Sequence, residues 1–436
     1  MRLTAKSSQA VVWLLALTPG LLALLFLNPS DFSSPGAVLN LLGRLTGIWG
    51  MALLLVAAGL CCRVPGFDRP FGGLTKLWQL HHRLGAVAFL LLLLHPLLLA
   101  FSAASISLPA AVQTLFSDRS AVIWGWVALL ALMIFMAPSF SFFGEAEYQR
   151  WKFVHRLAGV TVVLGLVHTL LLSRTLPGAW GPVIWGLWAA AALFAISYRW
   201  VFSRWRGRQP YRLVAIDRPA RNVVELSLEP RAAALRYDPG QFVYLTPTDP
   251  QLSAGRGEEH PYTLSSAPGE RLLRIAIKDL GDASRALQTL TLDTEVRIEG
   301  PYGRFFPSPE APPEPELWIA GGIGITPFLS RLRHCARTGE ALNAHLIYCV
   351  QDETRVLFGE ELRQLEAQLP ESRITLHYFY REGPLEREFI ERACSDAAQR
   401  FAYLCGPLPL IDRARGQLQG LGVPRARIVT EEFVLL

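Results

Sequence analysis

Two apolar stretches carry histidine near both ends. Residues 81–98 read HHRLGAVAFLLLLLHPLL, with His81, His82 and His95; residues 155–168 read HRLAGVTVVLGLVH, with His155 and His168. A single histidine in such a run is accounted for by a hydrogen bond to a neighbouring helix. Matched pairs in two runs point to function, because ionisable groups inside a bilayer are costly and mark working sites. The chemistry that suits the layout is bis-histidine ligation of haem. Neutral imidazole is a good axial ligand for haem iron, and one histidine from each of two helices would clamp each ring. At ~1.5 Å per residue, a spacing of 13 or 14 residues sets two haems about 20 Å apart.

Helical register narrows the choice. At ~100° per residue, 14 residues fall about 40° short of four turns and 13 residues about 140° short. His81 and His95 therefore share a face, whereas His82 and His95 do not; His81 is chosen, with His82 as the alternative. His155 and His168, spaced by 13, require a local distortion of their helix or a tilted haem. The expected metal ligands are His81, His95, His155 and His168. Arg44, in NLLGRLTGIWG, opens another apolar run at the end shared with His95 and His168. There it could pair with a haem propionate, attract an anionic acceptor or product, or snorkel to the interface.

These residues need helices that cross a membrane. Apolar runs near 10–27, 41–62, 84–101, 121–137, 157–173 and 182–202 are long enough, or nearly so, for a ~30 Å hydrocarbon core. The first is read as a retained anchor rather than a removed signal, since further spans follow it. The net charge is +6. Its basic residues gather at the N-terminus, after spans two and four, and after span six, while the opposite loops hold mainly Arg119 and Arg174. Basic flanks stay in the cytoplasm, which predicts a multi-pass protein of the cell (inner) membrane with both termini cytoplasmic. The same placement leaves no basic stripe for nucleic acid. The six cysteines, including adjacent Cys61 and Cys62, form neither a CxxC pair nor a metal spacing, which argues against a disulfide framework.

From RWRGRQPYRLVAI at 204 the composition becomes that of a soluble protein. Short alternating runs such as RLVAI, VVELSL and QFVYL read as β-strands. Beyond the proline-rich PSPEAPPEPE, the apolar strands LWIAGG, LIYCV, ITLHYF and FAYLCG alternate with helical stretches, the pattern of a parallel sheet wrapped by helices. The boundaries are read as 1–207, 208–310 and 311–436.

The soluble half also carries an ordered set of motifs: HPYTLSSAP at 260–268, IAIKDLGDAS at 275–284, GPYGRF at 300–305, AGGIGITPFLS at 320–330, YLCGP at 403–407 and EEF at 431–433. Together they resemble the ferredoxin-reductase flavoprotein superfamily. With the membrane histidines added, the chain resembles the ferric reductase/NADPH oxidase family. The resemblance implies a six-helix transmembrane bundle, an antiparallel β-barrel FAD domain and an α/β parallel-sheet NAD(P)H domain. It also implies FAD, two b-type haems and NADPH or NADH as cofactors, and the family's spacing of 14 supports His81.

The same resemblance assigns residues. In HPYT, Tyr262 would pack on the flavin ring and Thr263 would hydrogen-bond near its reactive nitrogen, with His260 and Pro261 alongside and Ser266 following. Lys278, Gly281 and Ser284 would serve the FAD pyrophosphate, a role helix-terminal amides also favour; a capped helix start accounts for the serine equally well. Gly321, Gly322 and Gly324 would let the backbone approach a dinucleotide, with Thr326 offering a hydroxyl. Cys405 and Gly406 would lie near the nicotinamide, and Phe433 would cover the flavin face. For a 2′-phosphate, Gln351 stands where relatives often place arginine, and Arg381 is the alternative cation. The implied activity is electron transfer from NAD(P)H through the lipid bilayer to molecular oxygen, or otherwise to a ferric chelate or a periplasmic redox partner.

Overall fold

The computed structural model describes residues 5–140, 148–172, 180–205, 207–307 and 314–432. The chain divides into two compact units, 1–204 and 205–436.

Among the described residues, the first unit holds six helical spans long and apolar enough to cross a membrane. They are built from α1 (Ala5–Leu24), α2 (Pro35–Gly59), α3 (Leu74–Ala104), α5 (Ser120–Met136), α6 and α7 together (Tyr148–His155 and Leu157–Leu172) and α8 (Trp180–Ser197); a short α4 (Leu108–Leu115) lies between α3 and α5. Ser34 caps α2, accepting the Ala37 amide, and Pro35 opens it. These are the residues a helix start favours, since they satisfy or remove orphan amides.

Helices without a hydrophobic drive between them associate through close packing at small residues. On α2, Gly36 meets Ser105 at the C-terminal cap of α3, and Gly43, Gly47 and Gly50 meet Leu99, His95 and Leu92 of α3, in antiparallel order. A Cβ on any of these glycines would fall between 2.2 and 2.8 Å from its α3 neighbour. Their absence of side chain is what brings the α2 carbonyls within reach of the α3 histidines.

The fifth span is interrupted at Arg156, between α6 and α7. There the Arg156 amide bonds to Phe153 O and the Gly159 amide to Arg156 O, three residues back rather than four. Three-residue bonding turns the chain by about 120° per residue instead of ~100°. The tighter turn recovers part of the angle that a 13-residue spacing lacks, and it falls between His155 and His168.

The second unit begins with a six-stranded antiparallel sheet of β1 (Arg208–Ala220), β2 (Val223–Pro230), β3 (Phe242–Pro247), β4 (His260–Thr263), β5 (Leu273–Lys278) and β6 (Glu295–Tyr302), ordered β4-β3-β6-β1-β2-β5. The sheet curls into a half-barrel, and one isolated bridge joins the segment that follows β4 to β5. Leu264 bridges Ile275, and the Ser265 amide donates to Arg274 O at 2.9 Å. A five-stranded parallel sheet follows, made of β7 (Glu316–Gly321), β8 (Ala344–Val350), β9 (Arg373–Tyr378), β10 (Phe401–Gly406) and β11 (Ile428–Glu432), ordered β11-β10-β7-β8-β9. The order reverses between β7 and β10, and open α/β sheets bind ligands at that switch point, beyond the strand carboxyl ends.

A buried ionic network ties the two sheets together. Arg333, on the helix Thr326–Thr338, pairs with Glu225 of β2 at 2.9 Å and with Glu361 at 2.6 Å. Ser330 of the same helix donates to Ser266 O at 2.7 Å. Removing one partner of such a network leaves a buried charge without compensation, which costs about 3–5 kcal/mol.

Candidate functional site

The four chosen histidines meet as two pairs. His81 of α3 faces His155 of α6 with ring centres 6.2 Å apart, and His95 of α3 faces His168 of α7 at 6.1 Å. His82 is exposed and takes no part. Two imidazoles bound to one metal at about 2 Å each bring their ring centres to about 6 Å, so both spacings fit a shared iron. The tautomers fit as well. Nδ1 of His81, His95 and His168 lies 2.7 Å from the backbone oxygens of Ala57, Gly43 and Ala121, respectively. A carbonyl holds the proton on Nδ1 and leaves Nε2 unprotonated, the usual way a ligating imidazole is oriented. His155 is held differently: its ring stacks on Trp151 at 4.8 Å and stands perpendicular to Phe135 at 5.3 Å, and its buried Nδ1 has no hydrogen-bond partner.

Glycine makes room for the second pair. A Cβ on Gly47 would lie 2.7 Å from His95 Nδ1, and one on Gly125 would lie 2.6 Å from His168 Nδ1. Around these rings is an apolar cavity of about 350 Å³, lined by His95, His168, Met51, Leu54, Leu132 and Arg44 among others. That volume is in the range of small-molecule sites. Thr161 also lines it, and its buried hydroxyl has no hydrogen-bond partner. Arg44 is ion-paired with Asp31, a partner that no sequence signal announced because it sits in the loop before α2.

In the second unit the predicted residues separate into groups. Tyr262 and Thr263 lie on β4. Tyr262 is half-buried with its phenol pushed up by burial, and the Thr263 hydroxyl is buried without a partner. A buried donor left free fits a bound polar ring such as a flavin. His260 Nε2 lies 3.1 Å from Glu258, and Pro261 pairs with Tyr244 across the β3–β4 ladder. Ser266 is placed otherwise. It is fully buried, and its hydroxyl is engaged by Tyr237 at 2.7 Å and by the Arg274 amide at 3.0 Å. Ser284 caps the helix Asp282–Leu287, accepting the amides of Leu280 and Gly281, so its hydroxyl already has a structural use.

A second cavity of about 210 Å³ lies at the switch point. Its lining includes Gly321, Gly322, Lys278, Gln351, Arg355 and Phe379. Lys278, grouped by sequence with the 278–284 segment, thus stands beside the glycine turn. Gly324 is packed so closely that a Cβ there would lie 2.3 Å from Cys405 O. Thr326 is buried, its hydroxyl donating to Ile323 O at 3.1 Å. Gly406 ends β10 with φ +159°. Cys405 is fully buried with its thiol pushed well up by burial, and it pairs in register with Glu431 of β11. Glu431 Oε2 is buried without a hydrogen-bond partner, and desolvation raises that carboxyl to about 8. Arg381 is outside this cavity's lining: it is exposed, pairs with Glu353 at 3.2 Å and lies over the Tyr378 ring. Arg355, which sequence reasoning passed over, lines this cavity together with Gln351 and Lys278. Phe433 lies outside the described residues.

Comparison with known proteins divides the chain in the same order. Residues 46–166 match a ferric reductase like transmembrane component, residues 209–305 an FAD-binding domain and residues 318–416 an oxidoreductase NAD-binding domain. The chain is 29% identical over 189 residues to NADH-cytochrome b5 reductase 1 of Cryptococcus neoformans, covering 39% of this chain and 64% of that protein. It is 26% identical over 320 residues to the flavohemoprotein of Bordetella pertussis, covering 66% of this chain and 76% of that one. Among solved structures it resembles the FAD/NAD binding domain of nitric oxide dioxygenase from Vibrio cholerae, with TM-score 0.46, 24% identity, and coverage of 52% of this chain and 98% of that chain. In order along the chain, the ferric reductase-like transmembrane component, the FAD-binding domain and the oxidoreductase NAD-binding domain match the ferric reductase/NADPH oxidase family with its ferredoxin-reductase-type module.

Proposed function

We propose that the chain carries electrons from cytoplasmic NAD(P)H across the cell membrane to an acceptor on the outer face, by way of FAD and two b-type haems. When bound, the nicotinamide supplies hydride, the flavin converts a two-electron donor into single electrons, and the haems pass those electrons along. The two histidine pairs carry this reading: their 6.2 and 6.1 Å ring spacings, and the carbonyl-bound Nδ1 atoms of His81, His95 and His168, suit axial ligation by Nε2. Residues 1–207 form the haem domain, 208–310 the FAD domain and 311–436 the NAD(P)H domain, with both termini cytoplasmic.

The remaining residues position and exclude. Tyr262 and Thr263 hold the flavin, the latter with its free buried hydroxyl. The glycine turn at 321–324 admits the dinucleotide backbone, with Cys405 and Gly406 beside it. Arg355 and Lys278 in the switch-point cavity favour NADPH. The cavity at His95 and His168 is small and largely apolar, which favours molecular oxygen, reduced to superoxide, over a ferric chelate or a periplasmic protein. The test is a haem count on purified protein by the pyridine haemochrome method. Wild type is expected to hold two haems per chain, His168→Leu one, and the double variant His155→Leu/His168→Leu none. Equal haem content in all three would contradict the ligand assignment.

A further inference from the structure

Asp31 lies on the single turn Pro29–Phe32, between α1 and α2. Both of its carboxylate oxygens are engaged. Oδ1 is ion-paired with Arg44, and Oδ2 accepts the Asn28 backbone N–H at 2.9 Å. The Asn28 amide first, and Arg44 after it, hold this carboxyl below the usual carboxylate range. Asp31 therefore stays charged wherever the protein is folded near neutral pH. Among the described residues, Arg44 is the single arginine or lysine lining the cavity at His95 and His168, and its Nε is buried with no acceptor.

The pairing changes what approaches. An arginine alone at a low-dielectric mouth focuses field and raises the arrival rate of anions. A carboxylate in contact with it cancels that field beyond a few ångströms and leaves only short-range donors. We propose that Asp31 is a specificity-determining residue of the acceptor site: by neutralising Arg44 it removes the attraction for polyanionic acceptors such as ferric chelates, so that a small neutral acceptor, dioxygen, is favoured. One electron adds to dioxygen to give superoxide; no other bond forms or breaks and no proton moves. The free Nε–H of Arg44 is the donor left for the anion so formed. This inference rests on the haem-mediated reading above.

The experiment uses the full-length holoprotein in detergent, reduced by NADPH, with two probe acceptors of opposite charge: ferricyanide and hexaammineruthenium(III). In Asp31→Asn the ratio of kcat/KM for ferricyanide to that for hexaammineruthenium is expected to rise about tenfold, the low end of what charge steering gives. The rise should shrink as salt screens it. Asp31→Glu restores the wild-type ratio. Asp118→Asn, an exposed acid in the loop that leads from α4 to α5, is the control for net charge. Arg44→Gln gives the opposite sign, lowering the ratio, and stands as an independent variant if Asp31→Asn fails to fold. A potentiometric titration reads the same change without turnover: Asp31→Asn raises the midpoint of one haem and leaves the other in place. An unchanged ratio in Asp31→Asn and Arg44→Gln, with two haems titrating, would overturn the proposal. Absence of titrating haem in wild type would instead overturn the reading beneath it.

Discussion

Single charged residues stand at both cavities, and several gave no sign of it in the sequence. Arg381 and Arg355 are 26 positions apart and equally plain as letters. Folding separates them: Arg381 is committed to Glu353 on an exposed turn, whereas Arg355 lines the switch-point cavity beside Gln351 and Lys278. A charge-assisted hydrogen bond to phosphate is worth about 1.5–3 kcal/mol, or roughly ten- to a hundredfold in affinity. Arg355→Ala should therefore lower kcat/KM for NADPH by that factor and leave NADH nearly untouched, as steady-state rates with each nucleotide would show. An equal loss for both nucleotides, or a selective loss in Arg381→Ala, would return the role to Arg381. The histidines were legible because an imidazole in an apolar run is costly and so stands out. Asp31 was not, since an acid in a loop is ordinary and its contact with Arg44 is made only by the fold.

Elements supply the spacing that side chains alone cannot. The helix arithmetic favours His81 over His82 and requires a distortion between His155 and His168 or a tilted haem; the chain turns more tightly at Arg156 and places His81, not His82, against His155. What the pattern did not reveal is why the rings fit between helices. Glycine in a helix reads as a weak spot until its neighbour is known. Gly47 and Gly125 each give up a side chain to one histidine ring, and a Cβ at Gly125 would lie 2.6 Å from His168 Nδ1. Gly125→Ala should push that ring away and lose one haem, at an overpacking cost of about 1–3 kcal/mol. Gly159→Ala, on α7 with nothing within 4 Å of its Cβ, should keep the wild-type haem content. Absorbance at the Soret band per unit protein distinguishes the two. Equal haem content would mean the helices shift freely and the glycine notch is incidental.

At the scale of the whole molecule, hydropathy foretold the six apolar helices, and alternation of strand and helix foretold the parallel sheet. The antiparallel sheet is expected as a barrel; it forms a curled half-barrel whose edge strands touch through the single bridge Leu264–Ile275. Strand order was not readable, because β7 and β10 become neighbours only through pairing across the 79 residues that lie between them. That pairing creates the switch point where the glycine turn, Cys405 and Arg355 gather. In the proposed function this site and the histidine pairs serve one electron path, in which NADPH reduces haem held by those pairs. The most direct measurement is the anaerobic visible spectrum of the purified, FAD-supplemented protein before and after NADPH. In wild type, b-type haem bands are expected to sharpen on reduction, and they are expected to be lost when all four paired histidines are replaced. NADPH oxidation with no haem absorbance at all would contradict that path and leave a flavin reductase tethered to the membrane.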